Sequence, residues 1–242
     1  EPVTHRHYVF SIPKILRIYF RYNRKLLGGL SRCASETVRE MMQAATGDDA
    51  AVPGMIAAIQ TFGSDIDWHP HLHCLVTNGA FTPDGTFHAM EILSPSVIME
   101  IFQHKVFRML LKEGLIFRFA QCKHCTEERV RLILSWRHTG FHIHNEGKVV
   151  ANDTEGRERL ARYIIRPPVS LERLTYDRQG QQVFYQGKDQ TSTYDPIDFL
   201  AYASLHIPDK GEQLLRYYGW YSNKSLGLSP LIRNNVTQHG QD

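Results

Sequence analysis

The sequence predicts an α+β fold, with a central antiparallel sheet flanked by helices. Three observations predict it. β-rich runs at 7–12, 55–62 and 71–77 are bounded by turn formers. Amphipathic runs of helical period separate them, at 14–46, 95–113 and 155–166. The strands and helices do not alternate regularly, which argues against a parallel sheet.

Each element has a local reason. His7-Tyr8-Val9-Phe10-Ser11-Ile12 is rich in strand formers and stops at Pro13. Over 14–46 the residues Ile15, Leu16, Tyr19 and Phe20 form an apolar stripe, with Arg17, Arg21, Arg24 and Lys25 away from it. Gly28-Gly29 is expected to split this stretch into two helices. The strand at 71–77 ends on Asn78-Gly79, and Pro83-Asp84-Gly85 marks a further turn. Helices are expected at 95–113 and 126–136. Two short extended pieces, 141–145 and 148–151, flank a turn at Glu146-Gly147. A helix over 155–166 stops at Pro167-Pro168. A hairpin at 169–186 turns at Gly180, and helices at 195–205 and 210–222 complete the pattern. The expected organisation is a main domain over 1–190 and a helical extension over 191–242.

Of 242 residues, 42% are apolar and 11% aromatic, a composition that folds rather than staying disordered. The 28 basic residues nearly balance 25 acidic ones, so any binding of nucleic acid must rest on local patches. Cys33, Cys74, Cys122 and Cys125 form neither a disulfide ladder nor a complete zinc pattern, and a reducing cytoplasm is the expected setting. No apolar run approaches the roughly 18 residues of a membrane span, and no signal-peptide pattern opens the sequence. It begins with Glu1 rather than Met, as expected of a piece of a longer protein.

The most informative segment is Asp67-Trp68-His69-Pro70-His71-Leu72-His73-Cys74-Leu75-Val76. In a strand, alternate residues share a face, so His71 and His73 project together while Leu72, Cys74 and Val76 face a core. Two adjacent imidazoles are a ready pair of metal ligands, and an open coordination position can polarise a phosphate oxygen. The plainer reading is two histidines hydrogen-bonded at a sheet edge; His142-Ile143-His144 shows how cheaply the spacing arises.

His71-Leu72-His73 in its apolar strand resembles the HUH motif of rolling-circle replication initiators, relaxases and related transposases. Ala161-Arg162-Tyr163-Ile164-Ile165-Arg166-Pro167-Pro168, His206-Ile207-Pro208-Asp209-Lys210-Gly211 and Arg216-Tyr217-Tyr218-Gly219-Trp220-Tyr221-Ser222-Asn223 resemble transposases of rolling-circle insertion sequences. The likeness runs from Tyr8 to Gly227. It implies a ferredoxin-like or palm fold and a Mg²⁺ or Mn²⁺ ion on His71 and His73. It also implies single-stranded DNA at transposon ends and target sites as partner, nicked by a tyrosine that stays attached as a 5′-phosphotyrosine. A replication initiator or relaxase with the same chemistry, a DNA-binding remnant without activity, and an unrelated metal hydrolase using the histidine pair are the alternatives.

A tyrosine nucleophile titrates near ~10 when free and needs neighbouring cations. On a helix, Tyr163 has Arg159 at i−4 and Arg166 at i+3, which can hold a phosphate and stabilise developing charge. From spacing alone, a half-buried core tyrosine with snorkelling arginines fits as well. The resemblance favours Tyr163, since Arg-Tyr-x-x-Arg helices follow the HUH strand. Relatives often carry two tyrosines four apart there; Arg159 stands at the other position, which implies a single-tyrosine mechanism. Tyr217 and Tyr221 are a rival pair. The cluster Arg216, Tyr217, Tyr218, Trp220, Tyr221 and Lys224 also suits stacking of unpaired bases, at about 1–3 kcal/mol per base. A third metal ligand stays open among His69, Asp67, His142 and His144. Cys122-Lys123-His124-Cys125 reads as a loop with incidental thiols rather than half a zinc site. The basic helix at 17–25 and Arg129, Arg131 and Arg137 could follow a DNA backbone or simply face solvent.

Overall fold

The computed structural model describes residues 2–63, 65–90, 94–114, 135 and 139–222. Its first half runs β1 (His5–Ser11), a 3-10 turn (Lys14–Leu16), α1 (Arg17–Tyr22), α2 (Lys25–Thr46), β2 (Gly54–Phe62) and β3 (Trp68–Thr77). A small hairpin, β4 (Gly79–Phe81) and β5 (Phe87–Ala89), precedes α3 (Pro95–Lys112). Then come β6 (His142–Val149), α4 (Thr154–Ile164), β7 (Leu174–Asp177), β8 (Gln182–Gln186) and β9 (Thr191–Tyr194). α5 (Pro196–Ser204) and β10 (Leu215–Gly219) follow. The main sheet is antiparallel throughout, in the order β10-β2-β3-β1-β6, and so matches the expected class.

One face of this sheet makes the core. Tyr8 and Phe10 of β1, Met55 and Ala57 of β2, and Leu72, Cys74 and Val76 of β3 are buried against α2 and α3. Leu27, Leu30, Ala34 and Val38 supply the α2 side, and Ile98, Phe102, Val106 and Leu110 the α3 side. Their i, i+3, i+4 spacing is the helical stripe that such a sheet face requires, each large side chain contributing roughly 1.5–3 kcal/mol. Opposite this core, β1 presents His5, His7, Val9 and Ser11. The register sets Val9 and Ala58 on either side of His73, and Ser11 and Gln60 on either side of His71. A second, smaller core joins Ile66, Val183, Tyr185 and Phe199 beneath the β7-β8-β9 sheet and α5.

The structure corrects several local expectations. The helix break falls at Asn23, whose φ of −136° and ψ of 87° leave the helical region, and not at Gly28-Gly29. Those glycines lie inside α2, where a Cβ on Gly28 would come within 2.9 Å of Arg216 Nη2 and one on Gly29 within 2.3 Å of Met109 Sδ. They serve close packing rather than termination. The two pieces around Glu146-Gly147 form one strand, β6, and the register irregularity opposite His7 and Val9 absorbs the extra residue.

The helix expected over 210–222 is instead the edge strand β10, held along β2 from Leu215↔Ala58 to Gly219↔Gly54. Among the described residues, the segment after 190 contributes a strand to each of two sheets besides α5, where helices alone were expected. The helix expected at 126–136, the 122–125 cluster, Arg129, Arg131, Arg137 and Lys224 lie outside the described residues.

Candidate active site

Strand β3 sets the site. His71 and His73 are 8% and 3% exposed, and their Nε2 atoms stand 3.1 Å apart. His71 Nδ1 lies 2.8 Å from the His69 carbonyl oxygen, which can only accept. Nδ1 therefore carries the proton of the neutral ring, and the Nε2 lone pair is open toward His73. On the other side, His73 Nδ1 is 2.9 Å from His7 Nε2 on the neighbouring strand. A chain of imidazoles thus crosses two strands and ends on a backbone carbonyl.

Burial keeps these rings neutral. Desolvation first, then repulsion from His71, His7 and Arg166, pushes His73 down to about 3. Desolvation and, less strongly, His144 take His7 down to about 4. His71 is lowered for the same leading reason. Neutral imidazole is the form that ligates metal. Two adjacent octahedral positions at about 2.1 Å from one ion lie about 3 Å apart, so the Nε2 pair has the spacing of two neighbouring ligands. Among the described residues, no group of three or more His, Cys, Asp or Glu side chains is arranged to hold a metal ion.

Helix α4 brings the tyrosine. The Asp153 carboxylate caps its first turn by accepting from Gly156 N at 2.7 Å, and Ile164 is its buried anchor at the other end. Tyr163, 46% exposed, sets its ring edge-on to His73, with centroids 5.3 Å apart and planes at 87°. Its ring is also edge-on to His7, at 6.1 Å. Arg166 follows the helix rather than lying on it, yet its guanidinium sits 5.0 Å from the Tyr163 ring centroid and 5.7 Å from that of Phe62. Phenol, imidazoles and guanidinium therefore share one surface of the sheet.

Gln60 closes the arrangement from β2. Its Nε2 donates to the Ile164 carbonyl at 2.7 Å, pinning the last turn of α4 to the sheet. Its Oε1 is buried without a hydrogen-bond partner among the described residues, which costs on the order of 1–3 kcal/mol. Neither Gln60 nor His7 stood out in the sequence as a site residue. The available signal was a lone amide directly after the apolar run at 55–59, and a histidine at the start of a β-rich one.

Other residues singled out from the sequence lie elsewhere. Arg159 is exposed and paired with Glu155 at 3.5 Å. Arg216 lies against Gly28 of α2, and Tyr218 Oη donates to Ser31 Oγ at 2.9 Å on the same helix. Trp220 stacks on Phe81 at 4.4 Å, and Tyr221 Oη is 2.7 Å from His5 Nε2. Tyr217 is the exposed member of this group, at 49%. Among the candidate third ligands, Asp67 faces Arg17 at 3.9 Å, while His142 and His144 are exposed on the edge strand β6. β3 carries one extra residue opposite the step from Gln60 to Phe62, and the His69 ring lies 5.2 Å from that of His71, the planes tilted by 49°.

A family profile described as "Putative transposase" matches residues 54–226, a span that holds the histidine strand, Gln60 and Tyr163. The chain belongs to this transposase family. It is 30% identical over 233 residues to the transposase for insertion sequence element IS801 of Pseudomonas savastanoi pv. phaseolicola, covering 92% of this chain and 55% of that protein. It is 26% identical over 235 residues to "Putative transposase y4qJ" of Sinorhizobium fredii, covering 90% of this chain and 58% of that one. The chain thus spans little more than half the length of these relatives. No solved structure matches it. Among the described residues, no helix is long and apolar enough to cross a membrane.

Proposed function

We propose that this chain is the catalytic part of a transposase of the rolling-circle insertion-sequence type, nicking single-stranded DNA through Tyr163. The observation that carries the reading is the convergence on one sheet face of the His71–His73 pair, the Tyr163 ring and the Arg166 guanidinium. Membership of a transposase family and likeness to an insertion-sequence transposase support the same reading.

In this mechanism the Tyr163 oxygen attacks the phosphorus of a phosphodiester. The bond from phosphorus to the 3′ oxygen breaks, the phenol proton is released, and the leaving 3′ oxygen takes up a proton. The products are a 5′-phosphotyrosine ester and a free 3′-hydroxyl, so the phosphodiester energy is kept for a later strand transfer. A Mg²⁺ or Mn²⁺ ion on the Nε2 atoms of His71 and His73 supplies Lewis-acid polarisation of a phosphate oxygen when bound. His7 orients His73 through its Nδ1, leaving the His73 Nε2 lone pair for the ion. Arg166 offers charge to the phosphate beside the phenol. Tyr217, exposed on β10, offers a ring on which an unpaired base can stack.

The test is peptide mapping after incubation with Mn²⁺ and single-stranded oligonucleotides from the element's own ends. A nucleotide adduct on the peptide holding Tyr163 supports the reading. An adduct on the peptide holding Tyr217 and Tyr221 moves the nucleophile to β10 or the turn after it, and DNA binding without any adduct favours a non-catalytic remnant.

A further inference from the structure

We infer that Gln60 is the third protein donor to the ion held by His71 and His73, through its side-chain carbonyl oxygen. The inference rests on the metal reading above and extends it to a residue type outside the usual His, Cys, Asp and Glu set. The register places Gln60 directly across from His71, on the face that carries the two imidazoles. Directly opposed residues of an antiparallel pair keep their Cβ atoms about 4.5–5.5 Å apart, within reach of a shared ion.

The orientation of the amide is fixed by chemistry. The Ile164 carbonyl can only accept, so the group 2.7 Å from it is the NH₂ end, and the oxygen is the end left over. That oxygen is buried in a side chain only 3% exposed, and among the described residues it has no hydrogen-bond partner. A buried acceptor left over in this way, across the strand from His71 and on the face of the imidazole pair, has the character of a hard-cation ligand. Of the other candidates, Asp67 faces Arg17, and His142 and His144 stand exposed on the sheet edge; the His69 ring lies 5.2 Å from that of His71, whose Nδ1 donates to the His69 carbonyl. One side chain then joins the two halves of the site, with its oxygen on the ion and its nitrogen on the helix turn that carries Tyr163.

The test is a Mn²⁺ titration of the metal-free full chain, with free Mn²⁺ followed by electron paramagnetic resonance and each variant's melting temperature recorded. Gln60→Met is expected to weaken Mn²⁺ binding ten- to hundredfold, Gln60→Glu to bind at least as tightly as the unmodified chain, and His73→Ala to lose binding. The visible bands of bound Co²⁺ are expected to shift between the unmodified chain and Gln60→Glu, which a merely structural glutamine would not cause. Unchanged affinity in Gln60→Met with loss in His73→Ala overturns the role of Gln60 and leaves the histidine pair standing. Unchanged affinity in His73→Ala overturns the metal reading itself. If Gln60→Met does not fold, Gln60→Glu decides: tenfold weaker Mn²⁺ binding or unshifted Co²⁺ bands overturn the inference.

Discussion

The Tyr163 ring stands edge-on to the His73 imidazole, 5.3 Å between centroids and 87° between planes, although 90 positions separate the two in sequence. Two independent features produce this contact. The strand alternation that buries Leu72 and Cys74 in the core turns His73 to the opposite face. The Ile164 anchor and the Gln60 hydrogen bond to its carbonyl then hold the end of α4 over that face.

The two arginines near Tyr163 are expected to behave differently. Arg166 is over the phenol ring, whereas Arg159 is committed to Glu155 in solvent. Arg166→Ala is expected to slow covalent adduct formation by about 10²–10³-fold, the order lost with one charge-stabilising donor. Arg159→Ala is expected to stay within a few-fold of the unmodified chain. Single-turnover rates on one oligonucleotide check both, and equal effects would place the two guanidinia on the same phosphate.

Acid is expected to destabilise the fold between about pH 6.5 and pH 4. Desolvation takes His5 down from 6.5 to about 4, with an opposing pull from a backbone hydrogen bond. The folded pKa is depressed, so between these values the unfolded chain binds the extra proton. The stabilising contribution is full above the unfolded value and is lost as pH falls toward the folded one. His206 is lowered in the same direction, chiefly by desolvation; it donates to the Ile66 carbonyl at 2.9 Å and meets Thr61 Oγ1 at 3.0 Å. Melting temperatures across this window are expected to fall less steeply in His5→Gln than in the unmodified chain. A parallel fall would show that His5 does not contribute.

Gly219 is expected to tolerate no side chain. Its φ is +58°, and a Cβ there would lie 1.9 Å from the Pro53 carbonyl oxygen. Left-handed strain and a backbone clash together put Gly219→Ala at roughly 2–4 kcal/mol of lost stability. Denaturant unfolding checks this, and a change under ~0.5 kcal/mol would mean that β10 detaches from β2 at little cost.

The parts of the fold with a local cause were readable from the sequence. The strands at 55–62 and 71–77 and the helix at 95–113 follow from period and punctuation, and the structure places them within three residues of the expected bounds. The segment at 215–219 misled because Leu214, Tyr217, Tyr218 and Tyr221 also fit a helical stripe; the open edge of β2 decides the matter, and that partner lies far away in sequence. Gly28-Gly29 misled for a similar reason, since Arg216 and Met109 approach from distant elements. In the site, His71 and His73 were legible because period 2 alone puts them on one face. His7 and Gln60 were not, because only the β1-β3 and β2-β3 registers bring them to the pair.

The most direct test of the central claim is a covalent-adduct assay comparing the unmodified chain, Tyr163→Phe and the double change Tyr217→Phe/Tyr221→Phe. Each is incubated with Mn²⁺ and single-stranded ends of the element, then run on denaturing gels. Tyr163 is exposed and Tyr163→Phe removes one oxygen, so its stability is expected to stay within about 0.5 kcal/mol of the unmodified chain. An SDS-resistant shifted band is expected for the unmodified chain and the double variant, and none for Tyr163→Phe. A band that persists in Tyr163→Phe and vanishes in the double variant would contradict that claim.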